Sequence, residues 1–139
     1  MIKKSVKQLI AEAEKRSRGI SIEAARQRLG EPTTVFVDIR DVRELEREGM
    51  IPGAFHAPRG MLEFWVDPES PYYKPVFTDD KTFILYCQAD WRGTLAAAAL
   101  DDMGMQNVLH LEGGFGEWKK AGAPSGPKPE KKEAKKAKP

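Results

Sequence analysis

Two residue types in one short stretch carry the potential for chemistry. In "LYCQADWRGTLAAAALDDMG", Cys87 is the only cysteine in the chain, and Arg92 follows it five positions later. Cys87 closes the apolar run Phe83-Ile84-Leu85-Tyr86, and a run of alanines begins just beyond Arg92. A strand followed by a helix puts the cysteine at the carboxyl end of the strand, where open parallel sheets bind ligands. The connecting loop, Gln88-Ala89-Asp90-Trp91-Arg92-Gly93, can turn its backbone N–H groups toward one point, with the helix N-terminus behind them. Such a cradle favours a sulfur anion over a thiol. Arg92 adds a permanent charge and a planar fork suited to sulfate-like or phosphate-like oxygens. The combination describes a nucleophile for an anionic substrate. The competing reading is a buried structural cysteine, a small hydrophobe with no chemical task.

Two chemistries fit a thiolate in an anion-binding loop. One transfers a phosphoryl group through a phosphocysteine, and the other carries sulfane sulfur as a cysteine persulfide. Loop size separates them. Loops of the tyrosine-phosphatase type resemble C-x5-R and surround a tetrahedral phosphate, whereas Cys87 to Arg92 is C-x4-R. The tighter ring suits a single added sulfur atom better.

The elements that must hold this loop are legible in the pattern. "SVKQLIAEAEKRSRG" spaces Val6, Leu9, Ile10 and Ala13 as one helix face, with Gly19 as its expected stop. Ser21 is a candidate N-cap for a second helix closing on Gly30. "TTVFVDIR" reads as a strand, and "DVRELEREG" as a short helix stopped by Gly49. "MIPGAFHAPRG" is turn-rich, with a short strand near Ala54–His56, and "MLEFWVDPESPYYKPVF" reads as a loop containing a helical turn. "KTFILYC" is a strong strand and "GTLAAAALDDMG" a helix. "NVLHLEGG" is a further strand, and "FGEWKKAG" a final helix ended by Gly122. Strands alternating with helices predict a parallel sheet covered on both faces.

With 139 residues, 40% hydrophobic and 32% charged, the composition fits one globular domain with polar extensions. No window approaches a membrane span, and the N-terminus lacks the apolar core of a signal peptide. A single cysteine suits a reducing compartment, so a cytoplasmic location is expected. The net charge of +2 gives no strong nucleic-acid signature. It is unevenly placed: Ser125 to Pro139 holds six lysines against two glutamates, a net of +4, which leaves −2 for the rest. That Lys/Pro-rich segment lacks the apolar residues needed to offset ordering, so a disordered, solvated tail is expected over residues 125–139.

Three segments in order then resemble the rhodanese-like domains. "VFVDIRDVRELEREGMIPGAFH" is similar to the family's first motif, with Asp38, Arg40, Glu44 and the run Gly49 to Ala54. "CQADWRGTLAAAAL" resembles the active-site loop with its helix, and "VLHLEGGFGEW" the closing motif with Leu111, Gly113, Gly114 and Trp118. The resemblance covers about Ser21 to Ala123. It implies an α/β fold: a single rhodanese-like domain over residues 21–124, with a five-stranded parallel sheet flanked by helices, after an N-terminal helical extension over residues 1–20. It also implies a sulfurtransferase or persulfide carrier with Cys87 as nucleophile, and Gln88, Ala89, Asp90, Trp91, Arg92 and Gly93 as the substrate-binding loop. Asp38 and Arg40 are expected to brace the neighbouring loops. The implied partners are a small sulfur donor, such as thiosulfate or a persulfide, and a thiol or protein acceptor, with no nucleic acid and no membrane. No metal or organic cofactor is expected, because one cysteine and two histidines form no ligand cluster at zinc-like spacing.

Other residues invite functional readings that weigh less than structural ones. Gly113-Gly114 suits a tight turn better than a phosphate site, Trp118 suits the core, and His56 suits loop packing better than proton relay. Two positions depart from the family's usual loop, which carries glycine where Asp90 stands and serine where Gly93 stands. A carboxylate at Asp90 facing the pocket would oppose a thiolate and repel thiosulfate. Facing outward, it could cap the following helix. The short loop favours the inward orientation. These departures also admit a binding or regulatory module that has lost efficient turnover. A cysteine phosphatase or arsenate reductase is disfavoured by loop length.

Overall fold

The computed structural model describes residues 1–130 and shows five parallel strands in the order β1-β5-β4-β2-β3. The strands are β1 (Gly19–Ile20), β2 (Thr34–Asp38), β3 (Phe55–His56), β4 (Thr82–Tyr86) and β5 (Val108–Leu111). The helices are α1 (Val6–Glu14), α2 (Ile22–Gln27), α3 (Val42–Glu48), α4 (Leu62–Val66), α5 (Trp91–Asp102) and α6 (Gly114–Lys120). This is the α/β architecture expected from the alternation of strands and helices.

The sheet is buried on both faces, and the period of two sorts its residues. Val37, Ile39, Phe83, Leu85 and Cys87 pack toward α4 and α5, with Leu62, Ala96, Ala97 and Leu100 among their neighbours. Phe36, Ile84 and Tyr86 point the other way, onto Ala25 of α2 and onto Phe115 and Trp118 of α6. The alanine run matters here: Ala96, Ala97 and Ala98 are all buried, and their small side chains let α5 lie close to the sheet. Cys87 therefore continues the buried face of β4 by one residue past the strand end, directly under the start of α5.

Local sequence fixes the element ends. Ser5 and Gln8 form a reciprocal capping box at α1, and Ser21 accepts the Ala24 N–H at α2. Asp41 and Glu44 form a second capping box at α3. Gly49 then ends α3 at φ 82°, a conformation open to glycine at little cost.

Three readings of the sequence shift. The first helix ends at Glu14 with Lys15 as its C-cap, and Gly19 does not stop it but opens β1, paired to His110 of β5. Two residues gave too short a run to register as a strand, and only the neighbouring β5 supplies their hydrogen bonds. Residues 6–14 also pack on α5, so the N-terminal segment adds a helix and an edge strand to the domain. The second shift is at α5, which begins at Trp91, two residues before the alanine-based estimate. The third concerns the tail. Gly126 exchanges two backbone hydrogen bonds with Met50, at 2.8 and 2.9 Å, so residues up to that point are held on the domain. The rest of the expected disorder falls mainly on residues 131–139, which lie outside the described residues.

Candidate active site

The loop after β4 is built around the Cys87 sulfur. Cys87 is 1% exposed, and its Sγ accepts the backbone N–H of Asp90 at 3.1 Å and of Gly93 at 3.3 Å. Both donors come from the turn that starts α5, so the chain curls around the sulfur as the spacing predicted. Gln88 leaves the strand and passes its side-chain Oε1 to Arg40. Ala89 is exposed at the loop's crest, and Trp91 stands 53% exposed beside it.

Beneath the loop lies the turn from β5 into α6. Phe115 N–H donates to the Cys87 carbonyl at 2.8 Å, and Gly116 N–H to the Gln88 carbonyl at 3.0 Å. A Cβ on Gly114 would stand 2.6 Å from the Gln88 oxygen and 2.7 Å from the Cys87 oxygen. Gly114 therefore does more than permit a turn. It lets the second turn touch the backbone of the first.

Asp38 and Arg40 pair in the layer below the loop. Arg40 donates from Nε to Asp38 Oδ1 at 2.9 Å and from Nη2 to Oδ2 at 2.7 Å, both side chains fully buried. The same guanidinium reaches the Gly49 carbonyl at 2.7 Å and Gln88 Oε1 at 3.1 Å. Its face lies over the Phe115 ring at 4.5 Å. Burial opposes the Arg40 charge, but the Asp38 hydrogen bond and field outweigh it and hold the group above its ordinary range. Burial, with Asp38 alongside, also pushes the Tyr86 phenol far up. Tyr86 remains neutral and accepts the Ile51 N–H at 3.0 Å. His56 packs in this layer, with Nε2 2.7 Å from the Arg40 carbonyl oxygen.

Arg92 does not stand free. Its two terminal nitrogens donate to Glu44 of α3 at 2.9 and 3.0 Å. Each partner moves the other: the Glu44 hydrogen bond raises Arg92, with a smaller contribution from the adjacent Cys87, and the Arg92 hydrogen bond lowers Glu44. Glu44 also accepts the Asp41 N–H at 3.1 Å, so the helix cap and the loop clamp share one carboxylate.

Asp90 takes neither orientation weighed from the sequence. It makes no helix-capping hydrogen bond. Its carboxylate folds back onto β5, where both oxygens lie 2.9–3.0 Å from His110 Nδ1. An ionised carboxylate only accepts, so Nδ1–H is the donor. Asp90 is also the one non-glycine residue with positive φ among the described residues, at 88°. That conformation costs about 1–2 kcal/mol for an ordinary side chain, and aspartate tolerates it better than most. Gly93 follows from Asp90: a Cβ there would stand 2.7 Å from Asp90 Oδ1. The glycine is the space the carboxylate occupies.

His110 is the residue that reading along the chain missed. One signal pointed to it. It interrupts the apolar strand Val108-Leu109-His110-Leu111, and a polar group in a buried strand requires a partner. Its register opposite Leu85, two residues before Cys87, placed that partner near the loop.

Among the described residues, no group of three or more acidic, histidine or cysteine side chains is placed to hold a metal ion. No helix there is long and apolar enough to cross a membrane.

The chain is similar to several known proteins. A solved Rhodopseudomonas palustris protein of unknown function, described as a possible tyrosine phosphatase, is 46% identical with a TM-score of 0.87, covering 91% of this chain and 97% of that one. A sulfurtransferase of Allochromatium vinosum is 32% identical over 106 residues, 76% of this chain and 91% of that protein. An uncharacterised Synechocystis protein is 33% identical over 91 residues, or 66% of this chain; the match spans only 46% of that longer protein. The Rhodanese-like domain family model matches residues 21–121, a stretch that holds the sheet from β2 to β5, the Cys87 loop and the Gly113-Gly114 turn beneath it. With that match and this geometry, the chain belongs to the rhodanese-like domain family.

Proposed function

We propose that this domain is a sulfurtransferase or sulfane-sulfur carrier that works through a persulfide on Cys87. The observation that carries the reading is the pair of backbone amides on Sγ, from Asp90 and Gly93, in a C-x4-R loop one residue shorter than the phosphatase type. The Cys87 thiolate attacks the outer sulfur of a donor R–S–SH. The new Sγ–S bond forms as the donor S–S bond breaks, and that electron pair leaves with R–S⁻. An acceptor nucleophile then attacks the outer sulfur and returns Cys87 as thiolate. No external oxidant or reductant is needed, because one sulfane bond replaces another.

The charge inventory favours a thiol-bound persulfide over thiosulfate as donor. Thiosulfate brings two negative charges, and the two arginines bonded around the loop are already paired: Arg92 with Glu44 and Arg40 with Asp38. Asp90 adds a further carboxylate at the loop. Exposed Trp91 offers an apolar contact to a larger donor or to a protein acceptor.

The likeness to a possible tyrosine phosphatase motivates a second reading, phosphoryl transfer. Against it stand the C-x4-R ring and an arginine fork whose two terminal nitrogens both face Glu44.

The test is intact-mass measurement after incubation with cysteine persulfide, with thiosulfate and with an aryl phosphate. The expected result is a gain of one sulfur atom from the persulfide, absent in Cys87→Ser, and no Cys87-dependent phosphate release. Cys87-dependent aryl phosphate turnover without any sulfur gain would overturn the proposal.

A further inference from the structure

We infer that His110 is a positioning residue for the Cys87 loop, acting through Asp90. Three observations meet at one place. Asp90 holds a left-handed backbone at φ 88°, and in that conformation its N–H is aimed at Sγ from 3.1 Å. Its carboxylate is held by His110 Nδ1 at 2.9–3.0 Å, on a strand of the sheet and not on the loop itself. Gly93, the second donor to Sγ, leaves open the space that the carboxylate fills.

The arrangement has a mechanical sense. A β-carbon in the left-handed region pulls the residue back toward ordinary backbone angles. Relaxing Asp90 would swing its N–H away from Sγ and leave the sulfur anion with one donor of its two. A hydrogen bond from the sheet resists that relaxation, because β5 is fixed by β4 on one side and β1 on the other. His110 itself is almost wholly buried, which limits the geometries open to it. The loop thus borrows rigidity from the sheet through a side chain that need not touch substrate. Its role in sulfur transfer rests on the function proposed above, but its effect on the sulfur does not.

The experiment uses the full chain and two readouts. One is the rate of Cys87 alkylation by iodoacetamide at neutral pH, which needs no sulfur donor. The other is the rate of sulfur loading from saturating cysteine persulfide. His110→Leu should slow both by about tenfold, the worth of one hydrogen bond to a charged group. His110→Asn, which keeps a donor near the Nδ1 position, should recover to within about threefold of the parent. In an Asp90→Gly background, His110→Leu should cause no further slowing, since glycine holds positive φ unaided. A folded His110→Leu protein that reacts like the parent overturns the inference, as does equal slowing in both backgrounds.

Should His110→Leu not fold, Gly93→Ala reads the same geometry. It should lower the melting midpoint of the parent and leave that of the Asp90→Gly protein unlowered; an equal fall in both overturns the inference. Alkylation rates that follow the pattern without any sulfur loading would sustain the positioning role and defeat the sulfurtransferase reading.

Discussion

Two arginine–carboxylate forks flank the Cys87 loop, and they differ in almost everything except chemistry. Arg40 and Asp38 are wholly buried, and Arg40 also bonds to the Gly49 carbonyl and the Gln88 side chain. The side chains of Arg92 and Glu44 are 42% and 19% exposed, and water can reach the guanidinium. Coulomb attraction at similar distance is several times stronger in a protein interior than at a wetted surface. Desolvation of both groups offsets that stronger attraction. A buried pair is weak evidence for net stability, but removing half of it strands a charge. The inner fork therefore fixes shape: it ties β2, the end of α3 and the base of the loop into one unit. The outer fork is reached by water, so its two partners can separate without stranding a buried charge. Arg92 is closed on Glu44 and would have to release that carboxylate to grip an anion.

Breaking the inner fork should have the larger effect on the fold. Arg40→Leu leaves Asp38 buried without its guanidinium, at a cost of about 3–5 kcal/mol. Replacing Asp38 and Arg40 together by apolar residues should cost less than Arg40→Leu alone, since no charge is stranded. Urea unfolding of the three proteins measures both quantities. A cost for Arg40→Leu below about 1 kcal/mol would place this pair in the class of surface ion pairs and erase the contrast.

The contrast also explains what the sequence could tell. The inner fork was legible because its residues lie two apart in a recognisable motif, at the end of β2 beside the strand that leads to the site. The loop around Cys87 was legible because spacing alone fixes how a backbone curls. The outer fork was half visible: Arg92 and Glu44 stood out singly, but no local rule joins residues 48 positions apart. Asp90 was placed wrongly for the same reason. Its partner His110 lies 20 positions later, on a strand that only the sheet order brings beside the loop. Gly93 looked like a lost hydroxyl, and its reason is steric exclusion by a side chain whose orientation was not known. β1 escaped because two residues carry no periodicity. Local spacing was readable along the chain, and tertiary pairing was not.

Opening the outer fork should change donor preference. Glu44→Gln removes the charge that holds Arg92 and leaves the guanidinium available to a dianion. Thiosulfate turnover should rise by about fivefold to tenfold, a gain of roughly 1–1.4 kcal/mol. Turnover with cysteine persulfide should change by less than about twofold, because that donor makes no demand on Arg92. Steady-state rates with each donor decide the matter. An equal change for both would show that Glu44 acts by supporting α3, where it also caps the helix, and not by occupying Arg92.

Acid gives the smallest and most specific reading of the same fork. Glu44 is lowered below the ordinary glutamate value of 4.5, first by the Arg92 hydrogen bond. A carboxyl whose folded value is depressed binds its proton more readily in the unfolded chain. Its contribution to stability is therefore fully present above about pH 5 and is lost as the pH falls through the folded value. Because the fork is partly exposed, that contribution is about 1 kcal/mol or less at neutral pH. The unfolding free energies of the parent and Glu44→Gln should differ by this amount at neutral pH and converge on acidification. Added salt should shrink the neutral-pH difference, since a half-exposed pair is screened. A difference that survives unchanged to about pH 3 and resists salt would assign Glu44 to packing and capping alone. The two forks would then be two braces, and the Cys87 loop would have no exchangeable cation at its rim.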